Sequence, residues 1–129
     1  VVVPPADVLS KLEIPPEVLT LHLRCLHYSN EAPFQLEERW INLQSIPEAE
    51  LEKFEKISPN EWLVKHVPWT DAEHILSANN ADTEKAELLA LAERDALFLI
   101  QRRTWRKEKL VTYVRHYYPG RFYQMRTNL

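Results

Sequence analysis

Alternating apolar and polar positions predict two β-hairpins, one in each half of the chain. Residues 18–28 alternate in this way, the polar segment 29–33 reverses the chain, and residues 34–43 return. Between Arg103 and Tyr123, two runs of β-branched and aromatic residues flank a short charged turn. Both patterns are typical of antiparallel strands joined by a tight turn.

Helical spacing and prolines predict the remaining elements. Apolar residues three and four positions apart favour a helix, and a proline either stops a helix or occupies its first turn at no cost. We therefore expect helices over residues 6–12, 48–54 and 85–92, a further helical turn within residues 58–63, and a strand over residues 69–78. Residues 82–84 are expected to cap the helix at 85–92.

The order of these elements repeats within the chain. Helix, break, apolar strand, polar turn and returning strand occur over residues 6–43 and again over residues 84–119. Neither hairpin can bury both of its faces alone, so we expect the two to pair into one antiparallel sheet with helices on one side. The predicted fold class is α+β.

Size, charge and cysteine content limit the classes of function. A chain of 129 residues with 45% hydrophobic content suits one domain, and a net charge of -3 gives no electrostatic footprint for nucleic acid or an anionic membrane. Cys25 is the only cysteine, which excludes an intrachain disulfide and favours a cytoplasmic location. No apolar run approaches the roughly 20 residues of a membrane helix. Because the chain opens on Val1 and soon meets Pro4-Pro5, we interpret it as a fragment cut from a longer protein at a linker.

Signals of enzyme or metal chemistry are weak. Gly120 is the only glycine, so a glycine-rich phosphate loop is not available. His22, Cys25 and His27 lie close together in sequence, but the alternation of a strand puts His22 on the face opposite the other two. A half-buried strand explains these residues better than a metal site, and Cys25 is more simply a small apolar side chain than a nucleophile. We expect no catalytic residue, metal or cofactor.

Two segments resemble a known family. Residues 103–123, together with Phe34-Gln35-Leu36-Glu37-Glu38-Arg39-Trp40-Ile41-Asn42, are similar to the effector-binding (UTRA) domain of GntR-family bacterial repressors, most closely the HutC subfamily. The resemblance runs from about Ala6 to Met125. It implies a mostly antiparallel sheet like that of chorismate lyase, a small-molecule pocket, a homodimer, and DNA contact only through an N-terminal winged-helix domain that this chain lacks. The dimer contact it suggests is a sheet edge or the region of residues 84–92.

The first hairpin supplies candidate site residues on one face. Glu37 and Arg39 lie two apart on the returning strand and so share a face, which is either a solvated sheet edge or a polar pocket. The resemblance implies that a glutamate at this place lines the pocket and that the preceding strand contributes at Cys25 and His27. Relatives that bind phosphorylated sugars carry arginines at both of those positions, so cysteine and histidine argue against a sugar phosphate.

The second hairpin supplies the complementary charge. Tyr113, Arg115 and Tyr117 alternate onto one face, and Arg103 joins them if the strands pair symmetrically about Glu108. The guanidinium of Arg115 suits bidentate capture of a carboxylate. A pocket with Glu37 at one end and Arg115 at the other would fit urocanate, a planar imidazole joined to an acrylate. The alternative is a Glu–Arg salt bridge with no ligand.

Aromatic residues near the end of the second hairpin have two interpretations. They pack the core or the sheet edge, or they form walls for a planar ligand, where stacking adds about 0.5–1.5 kcal/mol. The predicted function is a urocanate-sensing domain of a repressor of histidine utilisation; the alternatives are an enzyme related to chorismate lyase and a ligand-free dimerisation module. The predicted effector-binding residues are His27, Glu37, Arg39, Arg103, Tyr113, Arg115, Tyr117 and Tyr123.

Overall fold

The computed structural model describes residues 1–15, 17–54, 57–67 and 70–129. Five strands and three α-helices occupy these residues, with short 3-10 helices at Pro47–Leu51 and Gly120–Phe122. The strands are β1 Thr20–Ser29, β2 Ala32–Asn42, β3 Asp71–Asn80, β4 Ala96–Arg106 and β5 Lys109–Pro119, and the helices are α1 Ala6–Leu12, α2 Pro59–His66 and α3 Thr83–Leu88.

The strands form one antiparallel sheet in the order β1-β2-β5-β4-β3, which confirms the predicted α+β fold class. The hairpins β1-β2 and β4-β5 therefore pair through their second strands. Each hairpin follows a helix, α1 in one case and α3 in the other, so the internal repeat is also confirmed. β5 is the middle strand of the sheet, with β2 and β4 on either side of it.

Both hairpins turn through two residues with positive φ. In the first turn Asn30 and Glu31 have φ of 50° and 68°, and in the second Lys107 and Glu108 have φ of 49° and 69°. Two consecutive left-handed residues give a turn whose twist matches that of the flanking strands. Glutamate and lysine adopt this conformation less readily than glycine, so strand pairing maintains both turns against a local cost.

The described residues divide into two compact units. Unit 1 contains Val1–Leu23, Arg39–His74 and Arg102–Val114, and unit 2 contains Arg24–Glu38, Ile75–Gln101 and Arg115–Leu129. Each unit has hydrophobic clusters built from its own strands and helices.

In unit 1 the sheet has a helix on each face. Val8 and Leu12 of α1 pack in the same cluster as Trp40, whereas Trp62 of α2 packs in the cluster of Ile41. Since Trp40 and Ile41 are consecutive in β2, their side chains point to opposite faces. The expectation of helices on one side of the sheet is therefore wrong for this unit.

In unit 2 the helix α3 covers one face of the sheet. Ala86 of α3 and Leu89 pack against Leu36 and Tyr117. The Asp82 carboxylate accepts from the Lys85 backbone N–H at 2.9 Å, which confirms the predicted cap. The helix ends at Leu88 rather than at residue 92, because the chain turns through Ala90 with φ of 56°.

Two further predictions differ in extent. The helix expected over residues 48–54 is the 3-10 helix Pro47–Leu51, and the predicted helical turn after Ser58 is the longer helix α2. The strand expected over residues 69–78 is β3, Asp71–Asn80; Trp69 lies outside the described residues.

Glycine at the left-handed turn positions is expected to stabilise the fold. Glu31→Gly and Glu108→Gly should each raise the free energy of unfolding by about 0.5–1 kcal/mol, because glycine adopts positive φ without a Cβ penalty. Urea denaturation of the two variants measures this. Glu48→Gly, within the 3-10 helix, is the control and should not gain stability; a gain of the same size there would contradict the explanation.

Candidate functional site

A polar cluster lies on three neighbouring strands of unit 2. His27 comes from β1, Gln35 and Glu37 from β2, and His116 from β5. Gln35 and Glu37 are two residues apart, so the strand alternation directs both to one face. We call these four residues the Glu37 cluster.

The carboxylate of Glu37 is the centre of this cluster. The residue is only 4% exposed. Its Oε1 lies 3.4 Å from Nε2 of His27 and 3.9 Å from Nδ1 of His116. Nδ1 of His116 is also 2.7 Å from Oε1 of Gln35. Two imidazole rings thus flank one buried carboxylate, an arrangement that can exchange hydrogen bonds with a ligand carrying both donors and acceptors.

His27 has a buried ring nitrogen that is not satisfied within the described residues. Its Nε2 has no hydrogen-bond partner there, although Glu37 is near. The His27 ring is tilted against Phe34 with centroids 6.3 Å apart, and a third of the side chain is exposed. A buried polar atom without a partner costs free energy, so this nitrogen marks a place where a ligand would gain a hydrogen bond.

Aromatic rings continue along the same side of β5. The rings of His116 and Tyr118 are nearly parallel with centroids 6.4 Å apart, and Tyr123 stacks on Tyr118 at 4.2 Å. Tyr123 also contacts Phe98 at 4.8 Å. Burial raises the pKa of Tyr118, with smaller contributions from Tyr123 and Glu37, so this phenol stays protonated at neutral pH. Flat rings therefore adjoin the polar groups, as a planar ligand requires.

Arg115 does not face Glu37. His116 is directed to the Glu37 side of the sheet, and Arg115 precedes it in β5, so the Arg115 side chain points to the opposite face. The expected pocket with Glu37 at one end and Arg115 at the other is therefore corrected. The expectation was wrong because the sequence predicts the alternation within β5 but not the register in which β5 pairs with β2.

Two of the predicted site tyrosines are part of the hydrophobic core. Tyr113 is 1% exposed and stacks on Trp40 in unit 1 with centroids 5.8 Å apart. Tyr117 is 7% exposed in unit 2, where the Lys85 ammonium lies 4.9 Å from its ring centroid. Both occupy the packing role that was the alternative interpretation of these aromatic residues.

Arg103 binds side chains of unit 1. Its guanidinium donates to both carboxylate oxygens of Glu73, at 2.8 and 3.0 Å, and to Glu13 and the Lys11 carbonyl, each at 3.0 Å. The hydrogen bond from Arg103 lowers the pKa of Glu73. These bonds connect the end of α1 to β3 and β4, so the geometry assigns Arg103 a structural task.

Arg39 is buried in unit 1. It is 4% exposed and lines a cavity of about 20 Å³ together with Arg102, Thr104 and Thr112. Burial lowers the pKa of Arg102, and the positive charge of Arg39 lowers it further. Since Arg39 is buried, the solvated sheet edge considered above does not describe its position.

The described residues contain neither a cluster of metal-binding side chains nor a membrane-spanning helix. No three His, Cys, Asp or Glu residues of that part of the chain are placed to share a metal ion. His22 instead stacks on Trp40 in unit 1, with centroids 4.7 Å apart. Within the same residues no helix has the length and apolar character to cross a bilayer.

Sequence reasoning missed two residues of this region, Gln35 and His116, and it considered Tyr118 only among several aromatic residues that could form a wall for a planar ligand. His116 and Tyr118 do alternate onto the face opposite Arg115, and Gln35 shares the face of Glu37. The alternation of the sequence therefore contained this information. The sequence does not show which face of β5 lies on the same side of the sheet as Glu37 of β2, because that depends on how the two strands pair.

Comparisons with known proteins agree with this fold. The UTRA domain family matches residues 1–124. The histidine utilization repressor of Klebsiella aerogenes is 32% identical over 114 residues, 88% of this chain and 47% of the relative, and that of Pseudomonas aeruginosa is 32% identical over 99 residues, 77% and 40% respectively. The chain thus spans less than half the length of these relatives.

A solved structure gives the same result. The C-terminal domain of histidine utilization repressor from Pseudomonas syringae pv. tomato superimposes with a TM-score of 0.87 at 27% identity, covering 96% of this chain and 88% of that one. Fold and relatives together define a ligand-sensing regulatory domain. The chain belongs to the UTRA domain family. Because the relatives are named as repressors, the expectation that it is not an enzyme is confirmed.

Loss of the Arg103 bonds should destabilise the fold in a pH-dependent way. Arg103→Met is expected to lower the free energy of unfolding by about 1–3 kcal/mol near neutral pH. The folded-state pKa of Glu73 lies below its ordinary value of 4.5, so its contribution is present above that pH and is lost as the pH falls through the folded pKa. Denaturation of wild type and Arg103→Met from neutral to acidic pH should show that the difference between their free energies of unfolding becomes smaller as the pH falls. Arg106→Met, an exposed site, is the control, and an equal loss there would contradict the assignment.

Proposed function

We propose that this domain senses urocanate, or a close imidazole carboxylate, and that the Glu37 cluster binds the imidazole ring. The observation that carries the proposal is the buried, unpartnered Nε2 of His27 beside the buried carboxylate of Glu37. The family match and the names of the relatives support a regulator of histidine utilisation.

The hydrogen-bonding groups of the cluster suit an azole. A neutral imidazole has one N–H donor and one nitrogen acceptor. Ionised Glu37 can only accept, whereas a histidine ring nitrogen donates or accepts according to its tautomer. An effector ring that donates to Glu37 and accepts from Nε2 of His27 would give that buried nitrogen a hydrogen-bond partner. The neighbouring rings of Tyr118 and Tyr123 would provide a flat wall for it.

The same residues disfavour a phosphorylated sugar as the effector. A phosphate is held best by arginine or lysine, or by several backbone N–H groups. The β1 positions at which related sugar-phosphate sensors carry arginines are Cys25 and His27 in this chain. A small ring compound with a single negative charge therefore fits these residues better than a phosphorylated sugar does.

The complete protein is proposed to act by population shift. Urocanate would bind one arrangement of the domain more tightly than another, and this difference in affinity would change the spacing of attached DNA-binding domains in a cytoplasmic homodimer. In the complete protein, DNA contact is proposed to be made by an N-terminal winged-helix domain. The net charge of -3 supports this division, since the domain itself offers no surplus of positive charge to DNA.

Neutralising Glu37 should weaken effector binding. Calorimetric titration of the chain with urocanate is expected to show saturable binding with a Kd on the order of micromolar, and Glu37→Gln should raise that Kd about 10- to 100-fold through loss of a charge-assisted hydrogen bond. Histidine and glucosamine-6-phosphate are the comparison ligands. Glu38→Gln, one residue along on the opposite face, is the matched control and should bind as wild type. Absence of urocanate binding to wild type would overturn the proposal.

Arg115 provides a separate test of the site. Because its side chain points away from Glu37, Arg115→Ala should leave the Kd for urocanate unchanged within about twofold. Titration of this variant under the same conditions measures the effect. A rise of the Kd by tenfold or more would instead indicate that Arg115 binds the carboxylate of urocanate. It would then require a pairing register of β2 and β5 different from the one described.

A further inference from the structure

The carboxamide of Gln35 is oriented by His116. Nδ1 of His116 lies 2.7 Å from Oε1 of Gln35. A carboxamide oxygen can only accept, so the imidazole donates and the amide oxygen faces the ring. Because the amide group is planar, this bond also sets the direction in which its –NH₂ group points. The bond does not use the two N–H donors of that group, and Gln35 is only partly buried, so a ligand can reach them.

Gln35 lies at the end of the Glu37 cluster that adjoins the aromatic rings. β2 and β5 are antiparallel neighbours, so a step back along β2 and a step forward along β5 lead in the same direction. Gln35 therefore lies beside Glu37 on the side of the cluster where Tyr118 lies. Two residues of a strand span roughly 6.8 Å. A flat ligand that has its ring at Glu37 and lies along the aromatic rings would bring its other end to Gln35.

The arginines on the strands of unit 2 do not face the Glu37 cluster. They are Arg24 and Arg115. Arg24 donates to Glu84 of α3 at 2.8 Å and lies 3.8 Å from Glu38. Glu38 follows Glu37 in β2, so its side chain lies on the other face, and Arg115 points to that face as well. Apart from the two imidazoles, the described strands of unit 2 therefore offer neutral donors to a ligand on the Glu37 side.

We propose that Gln35 determines effector specificity by donating its amide N–H groups to the carboxylate of the effector. The inference rests on the proposed function and assigns the end of the ligand that the function leaves open. The imidazole is bound at Glu37 and His27, and the carboxylate at Gln35. A neutral amide can donate to a carbonyl oxygen as well as to a carboxylate. The selected class is planar azoles with a hydrogen-bond acceptor at the far end, whether or not that acceptor is charged.

Exchanging the amide of Gln35 for a carboxylate should reverse the preference between two ligands that differ at this end. In Gln35→Glu one carboxylate oxygen can still accept from His116, whereas the other presents lone pairs in place of N–H donors. It would repel the carboxylate of urocanate. It would accept from the –NH₂ group of urocanamide, the primary amide of urocanate. Gln35→Met removes the donors and adds no charge.

Calorimetric titration of wild type and variants with both ligands measures the effect. Gln35→Met should raise the Kd for urocanate and for urocanamide about tenfold each. Gln35→Glu should raise the Kd for urocanate about 100-fold and change that for urocanamide by less than about threefold. A residue with only a structural task would affect the two ligands alike. Gln44→Glu, at an exposed position outside unit 2, adds the same charge and should leave both Kd values unchanged.

The outcomes separate this inference from the proposed function. Equal weakening of both ligands by Gln35→Glu, or unchanged affinities in both Gln35 variants, would overturn the role of Gln35 and leave the proposed function standing. If wild type binds neither ligand, the proposed function fails and the role of Gln35 fails with it. A thermal melt of each variant establishes that it is folded.

Discussion

The two-residue period of the neighbouring strands β2 and β5 is the constraint on which the rest of the structure depends. In unit 1, consecutive residues of β2 pack against different helices, Trp40 with α1 and Ile41 with α2. In unit 2, Glu37 lies with two histidines on one face, while Leu36 packs with α3 on the other. A shift of register by one residue would exchange these environments and bury the wrong set. The hydrophobic clusters therefore hold the polar cluster in place as well as stabilising the sheet.

Features encoded locally could be predicted from the sequence. Alternation located both hairpins, helical spacing located α1, and Asp82 marked the start of α3, since each signal acts over a few residues. The pairing of the hairpins followed from the repeat, because two half-covered hairpins bury more surface together. The end of α3 was placed too late, because apolar residues continue past Leu88 at helical spacing while the backbone turns at Ala90. Burial of Leu89 explains those apolar residues without a longer helix.

The partners of charged residues could not be predicted in the same way. Arg103 was placed in the site because symmetric strand pairing about Glu108 would put it on the face of Arg115, whereas the structure pairs it with protein carboxylates 30 and 90 residues away in sequence. Tyr113 and Tyr117 combine an aromatic ring with a hydroxyl, and residue type alone does not separate a core tyrosine from one that lines a pocket. His27 and Glu37 were expected in one pocket only because of the family resemblance, and the structure brings their side chains together within a single hairpin. Arg115 was not correctly placed, because its relation to Glu37 depends on the register between the two hairpins.

The hydrogen bonding within the Glu37 cluster is informative about its purpose. A buried carboxylate flanked by imidazoles could in principle satisfy all of its neighbours, yet Nε2 of His27 has no hydrogen-bond partner within the described residues. An unsatisfied buried nitrogen costs about 1–3 kcal/mol, which is a sizeable fraction of the net stability of a small domain. Apolar residues at these positions would avoid that cost and suit a domain that only had to fold. The His27 nitrogen without such a partner, beside a stack of flat rings, fits the proposed ligand, which would supply the missing hydrogen bond. A sensor also requires that its ligand bind one arrangement of the domain more tightly than another, and a hydrogen bond made in only one arrangement would provide that difference in affinity.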